Sequence, residues 1–230
     1  MDGARRRRCD AHLDATVAEL LAHDDRVRAS AVAARTDGGV VHLTGDVESP
    51  AQLALLRRLI GTLAGVHGVW DRVRVAGRPP VVLDRGCGGT KQYPTNIGAD
   101  RRRTPAVAVQ ADLAAPLPFR DAVADRIFLV HVLEHLLDYL PLVDECHRVL
   151  KPGGVLHVLS PWWRHVNAVA DPTHVRLLDT QTFKQICNLP DRPRWHALHV
   201  ARDESTVFAD LTPVGPDHAP DPVHLARFFD

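Results

Sequence analysis

The sequence predicts two α/β parts in tandem: a small helix-strand-strand-helix-strand module over residues 11–76, then an open, largely parallel α/β sheet over residues 81–230. Three observations predict this. Apolar residues switch between helical and alternating periods in a fixed order up to Ala76. The stretch "GRPP", Gly77–Pro80, breaks helix and strand alike and reads as a linker. Beyond it, short apolar runs recur at "VVLD", "TNIGAD", "VAVQAD", "DRIFLVH" and "GVLHVLSP", the pattern of strands buried on both faces.

In the first part, residues 1–10 carry Arg5 to Arg8 and read as a solvated basic tail. Leu13, Val17, Leu20 and Leu21 then share one helical face. Two strands follow about the turn Asp37-Gly38-Gly39, with Val41, Leu43 and Val47 alternating onto one side, which predicts a hairpin. Ser49-Pro50-Ala51-Gln52 combines an N-cap serine, a first-turn proline and a glutamine placed to close a capping box. Leu53, Leu56, Ile60 and Leu63 continue that helix, and Gly65 is placed to end it. "GVWDRVRVAG" supplies a last strand. His12, His23, His42 and His67 have no acid or cysteine at ligand spacing and read as structural or solvated.

In the second part the helix expected between the fourth and fifth strands runs from about Leu136 to Leu150, with Leu136, Leu140, Val143, His147 and Leu150 on one face and "KPGG" as its stop. "RWHALHV" and "STVFADLTPV" alternate as a closing hairpin, and "HLARFFD" as a short docked helix.

Composition narrows the function. Apolar residues make up 45% of the 230, and no run approaches the ~20 needed to cross a bilayer. No apolar core follows the basic start, so export is not expected. The four cysteines form no C-x-x-C pair and fit reduced thiols in a cytoplasm. The 28 basic and 28 acidic residues cancel, which argues against nucleic acid as a partner. Arg101 to Arg103 read as a solvated loop.

In open α/β sheets ligands sit beyond the carboxyl ends of the strands, and four of the five apolar runs end there on Asp84, Asp100, Asp112 and His131. The first run enters the glycine turn of "VVLDRGCGGTKQ". A P-loop needs G-x-x-x-x-G-K-[ST], which is missing. The dinucleotide fingerprint fits Gly86 and Gly88 but meets Lys91 in place of its third glycine, and Pro94 leaves no room for the helix that would hold a pyrophosphate. The third occupant, S-adenosylmethionine, carries no phosphate and needs only close backbone approach.

"VVLDRGCGGT" resembles the first motif of class I S-adenosylmethionine-dependent methyltransferases, and the likeness continues through "IGAD", "ADLAAPLPF", "ADRIFLVHVLEHL", "ECHRVLKPGGVLHVLSP" and "DPTHVRLLDTQTF", roughly Val81 to Cys187. The short distance from the turn to Asp100 resembles a compact subgroup. The resemblance implies a Rossmann-like sheet and S-adenosylmethionine as cofactor. It also implies roles: Asp84 toward the ammonium of the methionine moiety, Gly86 and Gly88 along the ligand, Asp100 on the ribose hydroxyls, Asp112 and Leu113 on the adenine. His131 lies beside the expected methyl position and His174 falls in the segment that often covers the acceptor, so both are candidate general bases. Trp162 and Trp163 either wall an aromatic acceptor or pack under that segment. Arg85 stands at a position commonly apolar in the family, and Thr90 where a third glycine is usual. No metal is expected, because His131 and His135, the one H-x-x-x-H pair, sit on a strand-to-helix junction and need not converge.

The first part, through "GGVVHLTGDVES" and "LAGVHGVWDRVRV", resembles the BON domain, a module frequent in bacterial envelope and osmotic-stress proteins. That resemblance implies docking to a lipid surface or a protein and no chemistry. The expected whole is a cytoplasmic methyltransferase for a small-molecule acceptor with a docking module. The alternative is a non-catalytic protein that binds S-adenosylmethionine or its demethylated product.

Overall fold

The computed structural model describes residues 3–28, 30–219 and 221–228. They divide into two compact units, Met1–Pro80 and Val81–Asp230.

In the first unit, helix α1 (Gly3–His23) precedes strands β1 (Ala31–Asp37) and β2 (Val40–Val47), helix α2 (Pro50–Gly61) and strands β3 (Gly68–Asp71) and β4 (Arg74–Val75). The basic segment expected as a tail is instead helical from Gly3, and Arg6 reaches Asp37 at 3.1 Å. The hairpin between β1 and β2 pairs Asp37 with Val40, which leaves Gly38 and Gly39 as a two-residue turn at φ 60° and 80°. Positive φ at both positions matches the twist of the flanking strands. Asp10 of α1 closes the turn by accepting from the amides of Gly38 and Gly39 at 3.0 and 2.9 Å.

Ser49 caps α2 by accepting from the Gln52 amide at 3.2 Å, and Gln52 accepts from the Glu48 amide. The helix ends at Gly61 rather than at Gly65, with the Thr62 amide turning back to Leu59 and Ile60. The expected last strand is split, because Arg72 and Val73 interrupt two short segments that both run parallel to β2. Leu13, Val17, Val41, Leu43, Leu53, Leu56, Ile60, Val69 and Val73 form the core of this unit.

The second unit runs β5 (Val82–Arg85), β6 (Ile97–Asp100), β7 (Val109–Gln110), β8 (Ala124–Val130), a 3₁₀ turn (Leu133–His135), α3 (Leu140–Val149), β9 (Leu150–Pro161), α4 (Asn167–Ala170), α5 (Thr180–Asn188), β10 (Trp195–Arg202), β11 (Thr206–Pro213) and α6 (Pro222–Ala226). The sheet order is β10-β11-β9-β8-β5-β6-β7. Strands β5 to β9 are mutually parallel, and β11 and β10 close the sheet antiparallel. The chain leaves β5 toward β6 and β7 and returns to its other side with β8. The switch point of the sheet therefore lies where β5 and β8 end.

Two expectations change here. The helix between β8 and β9 starts at Leu140, not Leu136, because Pro141 suits a first turn and the preceding residues form the 3₁₀ turn. Its buried face is Leu142, Val143, Cys146 and Val149, and Leu150 already belongs to β9. Residues 86–96 contain no helix, in keeping with the expectation from Pro94, and the glycine turn crosses to β6 by turns and bends alone.

Candidate functional site

All five parallel strands deliver their carboxyl ends to one edge of the sheet, and the expected site residues follow from that. Gly86 leaves β5 at φ 69° and Gly88 follows at φ 55°, conformations that side chains rarely adopt. A Cβ at Gly86 would lie 2.7 Å from Val132 and 3.2 Å from Leu113, so the turn is packed between the ends of β7 and β8. The guanidinium of Arg102 lies over Gly88, with Nη2 2.5 Å from the place a Cβ would take.

Asp100, at the end of β6, ties this turn to the sheet. One carboxylate oxygen accepts from the Gly88 amide at 2.8 Å and the other from the Arg102 amide at 2.8 Å. Burial alone would raise its pKa, but these amides and the Arg102 guanidinium hold it below the usual carboxylate range. Oδ1 also accepts from Arg102 Nε at 3.4 Å, so Oδ2 keeps a second lone pair for a hydroxyl group, and Oδ1 accepts one in place of the Arg102 side chain.

Asp84 is buried on β5 and accepts from the Gln92 amide, with Asn96 Nδ2 at 3.4 Å. Burial pushes its pKa up, against these donors and the nearby charge of Lys91. A desolvated carboxylate in this state gains from an added cation. Asp112 is exposed just beyond β7 and bonds the Ala114 amide at 3.0 Å, while Leu113 turns inward against Gly86 and the core. Asp84, Gly86, Gly88, Asp100 and Leu113 are thus brought together, with Asp112 at the rim.

Arg85 enters the core beneath this edge. It is fully buried, its guanidinium stacks 5.0 Å from the ring centre of Phe119, and none of its three nitrogens makes a hydrogen bond among the described residues. Burial pushes its pKa down, against the influence of Cys146 and Glu145. Arg85→Met, which keeps the volume and removes the desolvated charge, is expected to stabilise the protein by about 1–4 kcal/mol in chemical denaturation. A loss of stability would show that the guanidinium is held by favourable interactions.

His131 follows β8 at φ 54°, its amide bound to the Leu159 carbonyl at 2.9 Å. Its Nδ1 lies 3.1 Å from Oε1 of Glu134, and its ring is about half exposed. Glu134 is only 2% exposed, and its other oxygen accepts from Ser160 Oγ at 2.5 Å. Although burial opposes it, hydrogen bonds from His131 and Ser160 hold the Glu134 carboxyl below its ordinary pKa.

His174 arrives from a distant stretch of chain. The amides of Val175 and Arg176 both donate to the Glu134 carbonyl, at 2.8 and 3.1 Å, and so pin residues 171–178 beside the 3₁₀ turn. The ring of His174 meets His135 edge to face at 4.7 Å. His174 therefore pairs with His135 and Glu134 rather than with His131. Trp162 and Trp163 both donate to Asp179 Oδ2, at 2.9 and 3.1 Å, and Asp179 also caps α5. That favours packing of this segment over the walling of an acceptor.

Glu134 and Ser160 were missed in the sequence. Glu134 lies in the junction between the fourth strand and the helix expected from about Leu136, where no local pattern marks an acid three residues after His131 as functional.

Residues 83–158 match the family model of a methyltransferase domain, and residues 10–77 that of the BON domain. A "Probable S-adenosylmethionine-dependent methyltransferase" of Mycolicibacterium smegmatis is 37% identical over a region covering 38% of this chain and 40% of its own. A protein of the same description from Mycobacterium tuberculosis is 40% identical over 29% of this chain and 24% of its own. The chain thus spans less than half the length of these relatives. Among solved structures, an S-adenosylmethionine-dependent methyltransferase of Mesorhizobium loti aligns over 58% of this chain and 90% of its own, at 14% identity and a TM-score of 0.42. One from Archaeoglobus fulgidus aligns over 58% and 85%, at 17% identity and a TM-score of 0.41.

Proposed function

Because the chain carries a BON domain and, after it, a class I methyltransferase domain, we propose that it transfers a methyl group from S-adenosylmethionine to a small-molecule acceptor. The observation that carries this reading is the strand-end set of Asp84, Gly86, Gly88 and Asp100, assembled about a glycine turn that leads into no helix. A dinucleotide would want a helix N-terminus for its pyrophosphate, and S-adenosylmethionine does not.

In this reading Asp100 takes the ribose hydroxyls, buried Asp84 offsets the ammonium, and Asp112 with Leu113 meets the adenine. Methyl transfer is an in-line displacement at a sulfonium carbon, so the protein's main task is to hold the acceptor in line with the breaking bond. His131 presents its outward nitrogen beside the donor position and takes the proton of an acceptor that arrives with one.

Asp100→Ala is expected to weaken S-adenosylmethionine binding by about 1.5–3 kcal/mol, the worth of hydrogen bonds to a charged group. Calorimetric titration of the variant measures it, and unchanged affinity would remove Asp100 from the site. The BON domain, in the same proposal, docks the enzyme to a protein or lipid surface. No described helix is long and apolar enough to cross a membrane, and the compartment we propose is the cytoplasm.

A further inference from the structure

Glu134, His135 and His174 converge: one ligand atom from each lies within 4.8 Å of the others, the one such group of acids, histidines or cysteines among the described residues. The hydrogen bonds around them settle which atoms are free. Asp171 Oδ1, a carboxylate oxygen that only accepts, takes the hydroxyl proton of Thr173 at 2.7 Å. Thr173 Oγ1 must then accept from His135 Nδ1, 3.0 Å away, and the Thr173 carbonyl lies 3.3 Å from the same nitrogen. The Ala168 carbonyl, 3.3 Å from His174 Nδ1, likewise requires that nitrogen to carry its proton. In its neutral form each ring thereby carries its lone pair on Nε2. Metal-binding histidines are held in this way, with the far N–H given to a carbonyl, a hydroxyl or a carboxylate.

The third member is a carboxyl group that is almost fully buried. Ser160 and His131 each take a lone pair on a different oxygen, the residue's own amide is a third donor, and the carboxylate keeps a lone pair for an ion. Asp171, 3.9 Å from His174 Nε2 through its second oxygen, adds negative charge nearby.

We propose that Glu134, His135 and His174 bind one divalent transition-metal ion. Two imidazoles and one carboxylate suit zinc or another first-row ion with open coordination positions, and do not suit magnesium or calcium, which prefer oxygen alone. Metal–ligand distances of about 2.0–2.2 Å require the three donors to draw inward. The exposed ring of His135 and the surface segment that carries His174 allow this movement.

Resting on the methyl-transfer reading above, the ion also names the acceptor class: a hydroxyl or phenol oxygen that joins the metal at an open position. The coordinated O–H gives its proton to His131. The oxygen then donates an electron pair to the sulfonium methyl, the methyl–sulfur bond breaks, and sulfur keeps that pair. In this arrangement His174 is a ligand and not the second general base.

The test uses the full-length chain without an affinity tag, stripped with chelator, loaded with Zn²⁺, desalted and analysed for metal content. The expected result is one equivalent of zinc per chain. His135→Ala, His174→Ala and Glu134→Gln should each lose it, and Thr173→Val should weaken binding by about 10–100-fold, as for other supporting groups. His12→Ala and His23→Ala, on the first unit, should retain it, and circular dichroism confirms that each variant is folded. Failure of the folded wild-type chain to retain zinc, or retention by the His135→Ala/His174→Ala double variant, overturns the proposal. S-adenosylmethionine titrated into the same samples separates the two readings. Binding without zinc retention overturns the metal site alone, and zinc retention without S-adenosylmethionine binding overturns methyl transfer alone.

Discussion

His131→Asn is expected to lower methyl turnover by about 10²–10⁴-fold while leaving S-adenosylmethionine affinity within about twofold. A positioned base contributes to rate on that scale. Asparagine is the informative replacement because His131 sits at φ 54°, in the left-handed region that asparagine tolerates well. Its amide also still reaches Glu134, so the buried carboxylate is not stripped of its neighbour. The pairing of His131 Nδ1 with Glu134 at 3.1 Å, and of Glu134 with Ser160 at 2.5 Å, holds the ring with Nε2 directed outward. Single-turnover kinetics with a methylated acceptor as the readout measure the effect. An unaltered rate would assign His131 to the loop structure and leave the acceptor's proton to another group.

The second large effect lies in the first unit. Asp71, at the end of β3, is completely buried, and its Oδ2 accepts from Arg57 Nε and Nη2 at 2.8 and 2.6 Å. Arg57 is itself 10% exposed on α2, so the pair joins helix to strand where water is excluded. Asp71→Ala would leave that guanidinium in the core without its carboxylate and is expected to cost about 3–5 kcal/mol in urea denaturation. Replacing both partners by leucine removes the buried charge altogether and should recover most of the loss. A single variant of wild-type stability would show that the guanidinium turns out to solvent at little cost. Since every proposed cofactor contact lies in the second unit, S-adenosylmethionine affinity is expected to survive the substitution.

The architecture was largely legible because its signals are local. The glycine pair after Asp37, the Ser49-Pro50 helix start and the polar residues that close the apolar runs each act over a few positions, and each appears where its chemistry requires. Boundaries were less legible. Pro141 fixes the start of α3, and packing buries Leu142, Val143, Cys146 and Val149, where the apolar period had pointed to the face of Leu136, Leu140, Val143, His147 and Leu150.

The clustering at the strand ends could be read because strand order alone brings Asp84, Asp100 and Leu113 to the glycine turn. The cluster around Glu134 could not be read in the same way. Its geometry depends on a main-chain contact, from the amides of Val175 and Arg176 to the Glu134 carbonyl, that joins two stretches far apart in sequence. The spacing of His131 and His135, on which the expectation of no metal rests, carries no sign of His174, which the fold brings to Glu134 and His135. Arg85 was visible as a departure from a common pattern, but its burial without a hydrogen bond among the described residues shows only in three dimensions.

The central claim is that the glycine turn between β5 and β6 faces a methyl donor. Calorimetric titration of the full-length chain with S-adenosylmethionine, S-adenosylhomocysteine and NAD in parallel tests it most directly. The account predicts micromolar binding of the first two and none of NAD. Binding of NAD alone, or of none of the three, would contradict it.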